Sequence, residues 1–271
     1  LSLTLMGFSA AEIVVPILAV ALVSALGWLG TWRLAGAVVL AAATAVAIGS
    51  RIHRAREPAA ALAAPLPAAS GFRRTDLLCD WRFLIFIPSM ITPAAINTGY
   101  FFHQRLLGEL RGWPVELLAL SVSAYALSAI CFNIVTGYLV DRYGATRLCR
   151  GHLLPLGAGS LLLVGTAAPS EAPLLFALMG VTAAANAVIV PAVLAEIYGT
   201  EHLGTIRALA GAIMVWGSAL TPVLFGVLFD ANLPLGALGI ACAVYTVAAS
   251  LLNVPLHRSR ERSRLNPALA E

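Results

Sequence analysis

The chain has 271 residues, of which 60% are hydrophobic and 11% are charged, and its mean hydropathy is +0.89. Soluble domains are about 45–50% apolar and about 25% charged, so this composition excludes an ordinary soluble enzyme, a disordered chain and a disulfide scaffold. The net charge is +4, from 17 basic residues, all arginine, and 13 acidic residues. The arginines are scattered between apolar runs and do not form a nucleic-acid-binding patch. Because a membrane β-barrel would show short alternating segments, the long apolar runs predict an all-α, polytopic membrane protein.

Eight apolar runs are each close to the ~20 residues that a transmembrane helix needs. The predicted spans are 5–26, 31–49, 83–104, 115–137, 148–168, 172–193, 205–228 and 234–255. Short segments that contain Gly or Pro separate most of them, for example 27–30 between the first two spans.

Residues 51–82 form a different kind of connection. An Ala/Pro stretch flanked by arginines neither packs a core nor crosses a bilayer, so we expect a polar linker. The predicted domains are then two helices at 1–50, the linker at 51–82, a six-helix bundle at 83–256 and a tail at 257–271.

The arginines also predict the orientation of the helices. If the linker is cytoplasmic and the spans alternate, 14 of the 17 arginines lie on the cytoplasmic side, and only Arg33, Arg105 and Arg111 lie on the other. Cytoplasmic loops of membrane proteins carry an excess of basic residues. We therefore expect the linker and the C-terminal tail to be cytoplasmic.

The most specific motif is GYLVDRYGATR at residues 137–147, after the fourth predicted span. Gly137 lets two helices approach closely, and Asp141 can accept hydrogen bonds from backbone N–H groups at a neighbouring helix start. Gly144 permits a tight turn with positive φ. Arg142 and Arg147 can hold the loop at the headgroups and pair with acidic groups. The alternative is an ordinary solvated Asp141–Arg142 pair.

This motif resembles the G-x-x-x-D-R-x-G-x-R/K signature of the major facilitator superfamily. The resemblance implies that Gly137, Asp141, Arg142, Gly144 and Arg147 form a conformational latch between two packings of the helical bundles. Its place after a linker and two spans fits the second copy of the signature, between helices 8 and 9. The eight spans would then be helices 5–12 of a twelve-helix transporter, with four helices preceding them.

A second segment, residues 195–207, resembles the cytoplasmic loop before helix 11 in that superfamily. There Glu196 and Arg207 are expected to pair with the Asp141 loop and lock the outward-open state. The alternative is that both are ordinary charges at headgroup level.

Polar residues inside apolar spans are the candidates for a substrate cavity, because they are costly in a membrane and usually face a cavity or a partner. Glu12 suggests proton coupling or recognition of a cationic group, or else a neutral acid bonded to a neighbouring helix. Asn97, Tyr100 and Gln104 share one helical face, and His103 is either a proton carrier or a satisfied interfacial histidine. The further candidates, for which helix packing is the alternative, are Tyr125, Asn186 and Trp216.

Together these observations predict a secondary active transporter, or permease, that moves a small solute by alternating access. We expect a monomer in the bacterial cytoplasmic membrane, in contact with the lipid bilayer and the solute and with no nucleic acid. No catalytic residue, metal site or cofactor is predicted, although coupling to protons or ions remains open. The alternatives are a membrane-embedded enzyme and a non-transporting membrane scaffold.

Overall fold

The computed structural model describes the backbone of residues 2–56, 74–165 and 168–256, and side chains at residues 18, 22–48, 77–165 and 168–256. Within these ranges every regular element is a helix, and six helices are long and apolar enough to cross a membrane. The predicted all-α, polytopic membrane fold is confirmed. The chain divides into two compact units at the boundary between Phe72 and Arg73, which lies inside the predicted linker.

The first unit contains one long helical segment, α1 (Ser2–Arg56), which is interrupted at Gly27. Gly27 has φ 70° and ψ 170°, a conformation that glycine adopts without the steric cost other residues meet. The interruption falls where the sequence predicts a turn between the first two spans. Only this residue within α1 leaves the helical conformation, whereas the sequence suggests a turn of four residues.

The second unit contains the remaining helices and one 3₁₀ turn. In chain order they are α2 (Arg74–Cys79), α3 (Trp81–Phe102), α4 (Gln104–Arg111), α5 (Val115–Tyr143), α6 (Ala145–Leu148), α7 (Leu154–Leu161), the 3₁₀ turn Leu162–Val164, α8 (Glu171–Tyr198), α9 (Leu203–Asp230) and α10 (Leu235–Leu252).

The main packing partners in this unit are α5 with α8 and α3 with α9, while α7 packs on both α8 and α10. Gly180 of α8 lies directly against the Tyr125 carbonyl and the Ser128 hydroxyl of α5. The Ser128 hydroxyl donates a hydrogen bond to the Ala177 carbonyl at 2.8 Å. The absence of a side chain at Gly180 therefore lets α5 and α8 pack closely.

The prediction of a full-length fifth span at 148–168 is wrong. The chain here forms α6, a turn at 149–153, α7 and the 3₁₀ turn, so the apolar helical stretch is only Leu154–Val164. Its length is about 18 Å at the usual rises of both helix types, against a hydrocarbon core of about 30 Å. Pro155 in the first turn of α7 and several nearby glycines explain why one long helix does not form.

Two helix ends also differ from the sequence expectation. The third span ends at Phe102, and Gln104 begins the separate short helix α4. Helix α5 continues beyond the predicted residue 137 to Tyr143. Asp141 and Arg142 therefore belong to the last turn of a helix and not to a loop.

The apolar core of the second unit lies at the end of the bundle opposite the junction of α5 and α6. It includes Tyr100, Leu107, Phe176 and Phe225, all nearly inaccessible to solvent. Tyr100 and Phe225 meet edge to face with ring centroids 5.6 Å apart, which is a favourable aromatic geometry.

Candidate functional site

The sequence motif at residues 137–147 centres on Gly144, where α5 ends and α6 begins. Gly144 has φ 83° and ψ 146°, and its N–H donates to the Val140 carbonyl at 2.8 Å. The predicted turn with positive φ is therefore present. Because α6 begins immediately afterwards, its first backbone N–H groups have no carbonyl partner within the helix.

Glu196, in the last turn of α8, supplies the partner for these groups. Its Oε1 accepts a hydrogen bond from the Ala145 N–H at 2.8 Å, and its Oε2 accepts one from the Thr146 N–H at 3.1 Å. Ala145 and Thr146 are both buried. A carboxylate that accepts two backbone N–H groups forms charge-assisted hydrogen bonds, which are shorter and stronger than neutral ones. We call this arrangement the Glu196 contact.

The same turn of α8 makes a second contact with the start of α3. The Tyr198 hydroxyl donates to Asp80 Oδ2 at 2.9 Å, and Asp80 Oδ1 accepts the Arg82 N–H at 2.8 Å as the N-cap of α3. One turn of α8 thus binds both the α5–α6 junction and the first turn of α3. Sequence analysis missed this contact, although an aspartate directly before an apolar helix is an N-cap signal.

The other motif residues take less part in packing than expected. Asp141 and Arg142 are exposed, and Arg142 donates to the Tyr138 hydroxyl at 3.0 Å on its own helix. At the start of α6, the carboxylate that accepts the backbone N–H groups is that of Glu196 and not that of Asp141. Within the described residues, no neighbouring atom lies within 4 Å of a Cβ added at Gly137, so the close approach expected there stays a prediction.

Arg207, the second predicted partner, lies exposed in the first turns of α9. It takes no part in the two hydrogen bonds of the Glu196 contact. Arg147 is also exposed, on α6. Of the two predicted latch partners, Glu196 binds the motif through these hydrogen bonds, and the role of Arg207 stays a prediction.

Comparison with known proteins places the whole chain in one family. The model of the Major Facilitator Superfamily matches residues 1–174 and 101–270. The chain belongs to this superfamily. No significant match to a curated protein or to a solved structure was found. Membership in the major facilitator superfamily implies a multi-pass membrane protein that transports small solutes.

The residues predicted to share a polar helical face are Asn97 and Tyr100 of α3 and Gln104 of α4. Asn97 and Tyr100 are buried, and Gln104 is partly buried beyond the helix break. Tyr100 belongs to the apolar core. Asn97 Oδ1 and Gln104 Oε1 are buried and accept no hydrogen bond from the described residues. These two oxygens retain the capacity to bind a donor.

His103 and Tyr125 have packing roles in the transporter. The His103 Nε2 lies 2.9 Å from the Pro222 carbonyl oxygen, and its ring meets Phe229 edge to face at 5.1 Å. His103 therefore bridges the end of α3 to α9. The Tyr125 ring meets Phe101 edge to face at 4.9 Å.

Asn186 lies in a buried hydrogen-bond network around the turn at 149–153. Its Oδ1 is 3.3 Å from His152 Nε2, and His152 Nδ1 is 3.0 Å from the Cys149 carbonyl oxygen. The Asn253 amide also donates to that carbonyl and to the Ser89 hydroxyl, both at 2.9 Å. The network provides hydrogen-bond partners for the Cys149 carbonyl, which lies in a stretch of backbone that is not helical. His152 and Asn253 were not identified from the sequence as partners in this network, because neither residue lies in a recognisable motif.

Trp216 and Glu12 complete the set of predicted cavity residues. Trp216 is 70% exposed on α9 within the described structure. The backbone of Glu12 is helical, and its side chain lies outside the described residues. Their roles in solute binding stay predictions.

Proposed function

We propose that this superfamily member is a secondary active transporter that moves a small solute by alternating access, with the Glu196 contact as its latch. The observation that supports this best is the pair of hydrogen bonds from the Ala145 and Thr146 N–H groups to the Glu196 carboxylate. The chain is proposed to work as a monomer in the bacterial inner membrane, without a cofactor. The linker and tail are proposed to be cytoplasmic.

The physical argument concerns a contact that can break and re-form. The Glu196 contact joins helix ends that are separate in sequence, and it holds a junction whose glycine has a positive φ. Hydrogen bonds to charged groups contribute about 1.5–3 kcal/mol each, which is the scale of the differences between two populated conformations. A latch of this strength stabilises one state without trapping it.

The test compares Glu196→Gln with wild type in proteoliposomes. Spin labels at Thr200 and Arg54 report distances between the two units, after the exposed Cys79 and Cys131 have been replaced by serine. Glutamine keeps the shape of the side chain but loses its charge. We expect two distance populations in wild type and a shift of several-fold in their ratio in the variant.

Glu116→Gln is the matched control, because it removes an exposed carboxylate at the first turn of α5, far along the chain from the junction. The control should leave the ratio of populations unchanged. A single distance population in wild type under all solute and proton gradients would contradict alternating access. An unchanged ratio in Glu196→Gln would contradict the latch alone.

A further inference from the structure

A groove of about 620 Å³ runs along the second unit between α5 and α7. Both of these helices pack on α8, so α8 forms the floor of the groove with Val181, Ala185 and Ile189. Phe132 and Leu139 of α5 form one wall. The volume lies within the range of small-molecule sites, about 300–1,000 Å³.

The two ends of the groove differ in chemistry. Its length is apolar, whereas Arg147 of α6 and Arg150 of the following turn lie at one end. Arg147 is exposed and Arg150 is partly exposed. An apolar groove with two arginines at one end is complementary to a molecule with an anionic head and a hydrocarbon tail.

The dimensions of the groove fit one leaflet of a bilayer. From Phe132 to Tyr143, both of which line it, α5 rises roughly 16 Å at 1.5 Å per residue. Half of a hydrocarbon core about 30 Å thick is about 15 Å. The arginines therefore lie at the depth of the phosphate groups when the apolar length lies beside the acyl chains.

We propose that this groove binds an anionic phospholipid, with its phosphate at Arg147 and Arg150 and one acyl chain between α5 and α7. Basic pockets between transmembrane helices recognise anionic headgroups in this way. Through α6 the site is contiguous with the Glu196 contact, because Ala145 and Thr146 precede Arg147 on the same helix. Bound lipid would therefore contact α6 one or two residues after the part that Glu196 binds.

The test is native mass spectrometry of the full chain in detergent, titrated with phosphatidylglycerol or phosphatidylcholine. Wild type should bind phosphatidylglycerol roughly 25-fold more tightly. The double variant Arg147→Gln/Arg150→Gln should lose this preference, because each arginine contributes roughly fivefold to anionic lipid binding. The control Arg33→Gln/Arg105→Gln removes the same charge elsewhere and should keep the preference.

A second variant tests the apolar part of the site without changing charge. Ala185→Phe fills the floor of the groove and should weaken the binding of both lipids, and thermal unfolding without lipid shows whether each variant is folded. If Ala185→Phe does not fold, the arginine variants decide the question, with Arg150→Gln alone as the milder change. Equal binding of the two lipids to wild type, or a preference retained in the folded double variant, would overturn the proposal.

Discussion

At the scale of single residues, two side chains of one helical turn hold the candidate site. Glu196 binds backbone N–H groups at the α5–α6 junction, and Tyr198 binds the aspartate that caps α3. The two contacts differ in kind, because Glu196 satisfies main-chain donors directly while Tyr198 acts on Asp80, which itself accepts the Arg82 N–H. Asp80 is therefore the residue on which both a cap and a tertiary contact depend.

Removal of either partner of the Tyr198–Asp80 pair should destabilise the protein to different extents. Tyr198→Phe loses one hydrogen bond and should cost about 1–2 kcal/mol. Asp80→Ala also loses the N-cap of α3, which adds about 1 kcal/mol. Thermal or denaturant unfolding in detergent measures both variants and the double variant.

The double variant separates the contact from the cap. Its cost should be less than the sum of the two single costs, because the variants share one hydrogen bond. Tyr245→Phe, on the partly exposed side of α10, is the control and should change stability by less than about 0.5 kcal/mol. Strictly additive costs would show that Tyr198 and Asp80 do not interact.

At the scale of elements, the position of α6 depends on the conformation of Gly144. A φ of 83° with a ψ of 146° is almost restricted to glycine, and other residues held there cost about 1–3 kcal/mol. Because Gly144 connects α5 directly to α6, strain at this residue can relax only by moving the helix that Glu196 binds. The backbone of the junction and the Glu196 contact are therefore coupled.

Gly144→Ala should lower the free energy of unfolding by about 1–3 kcal/mol and weaken the Glu196 contact. The control is Gly211→Ala in α9, where a Cβ meets no neighbouring atom within 4 Å among the described residues. Alanine is the better helix former by about 1 kcal/mol, so the control should be neutral or stabilising. Hydrogen exchange of the Ala145 and Thr146 amides measures the contact itself, and unchanged protection in Gly144→Ala would refute the coupling.

The sequence predicts long elements better than it predicts their interruptions. The spans of α8 and α9 follow from apolar length alone, and Gly144 and Glu196 stand in motifs whose spacing has a physical reason. The turn at 149–153 does not follow in the same way, because its Cys149 carbonyl accepts a hydrogen bond from Asn253 and lies beside His152, whose other ring nitrogen meets Asn186. Asn186 and Asn253 are distant in sequence from the turn, so only the folded structure brings them to it.

At the scale of the whole molecule, five of the six long apolar helices among the described residues lie in the second unit, and their ends are expected to alternate between the two sides of the membrane. The α5–α6 junction and the α8–α9 connection lie at the same end of the second unit, since Glu196 joins them. The α4–α5 connection lies at the other end of α5. Orientation therefore has two outcomes, and the proposal of a cytoplasmic linker, which rests on its arginines, predicts one of them.

Cysteine labelling distinguishes these outcomes. With Cys79 and Cys131 replaced by serine, single cysteines at Thr200 and Glu116 should react with an impermeant maleimide from opposite sides of the membrane. A cysteine at Ala63 in the linker should be labelled from the same side as Thr200. Labelling of Ala63 and Glu116 from one side would contradict the predicted topology, and inverted vesicles provide the complementary control.

The broken helix at 145–164 has a consequence for the surrounding lipid. Charged side chains mark both of its ends: Arg150 at one, and at the other Arg111, whose guanidinium donates to the Gly165 carbonyl at 2.9 Å and lies 3.5 Å from Glu171. Only about 18 Å of apolar helix separates them. The bilayer should therefore be thinner beside α7 than beside α8, at a cost of fractions of a kcal/mol per Å of mismatch. We therefore expect the stability of the transporter in the bilayer to depend on membrane thickness at the flank that α7 forms.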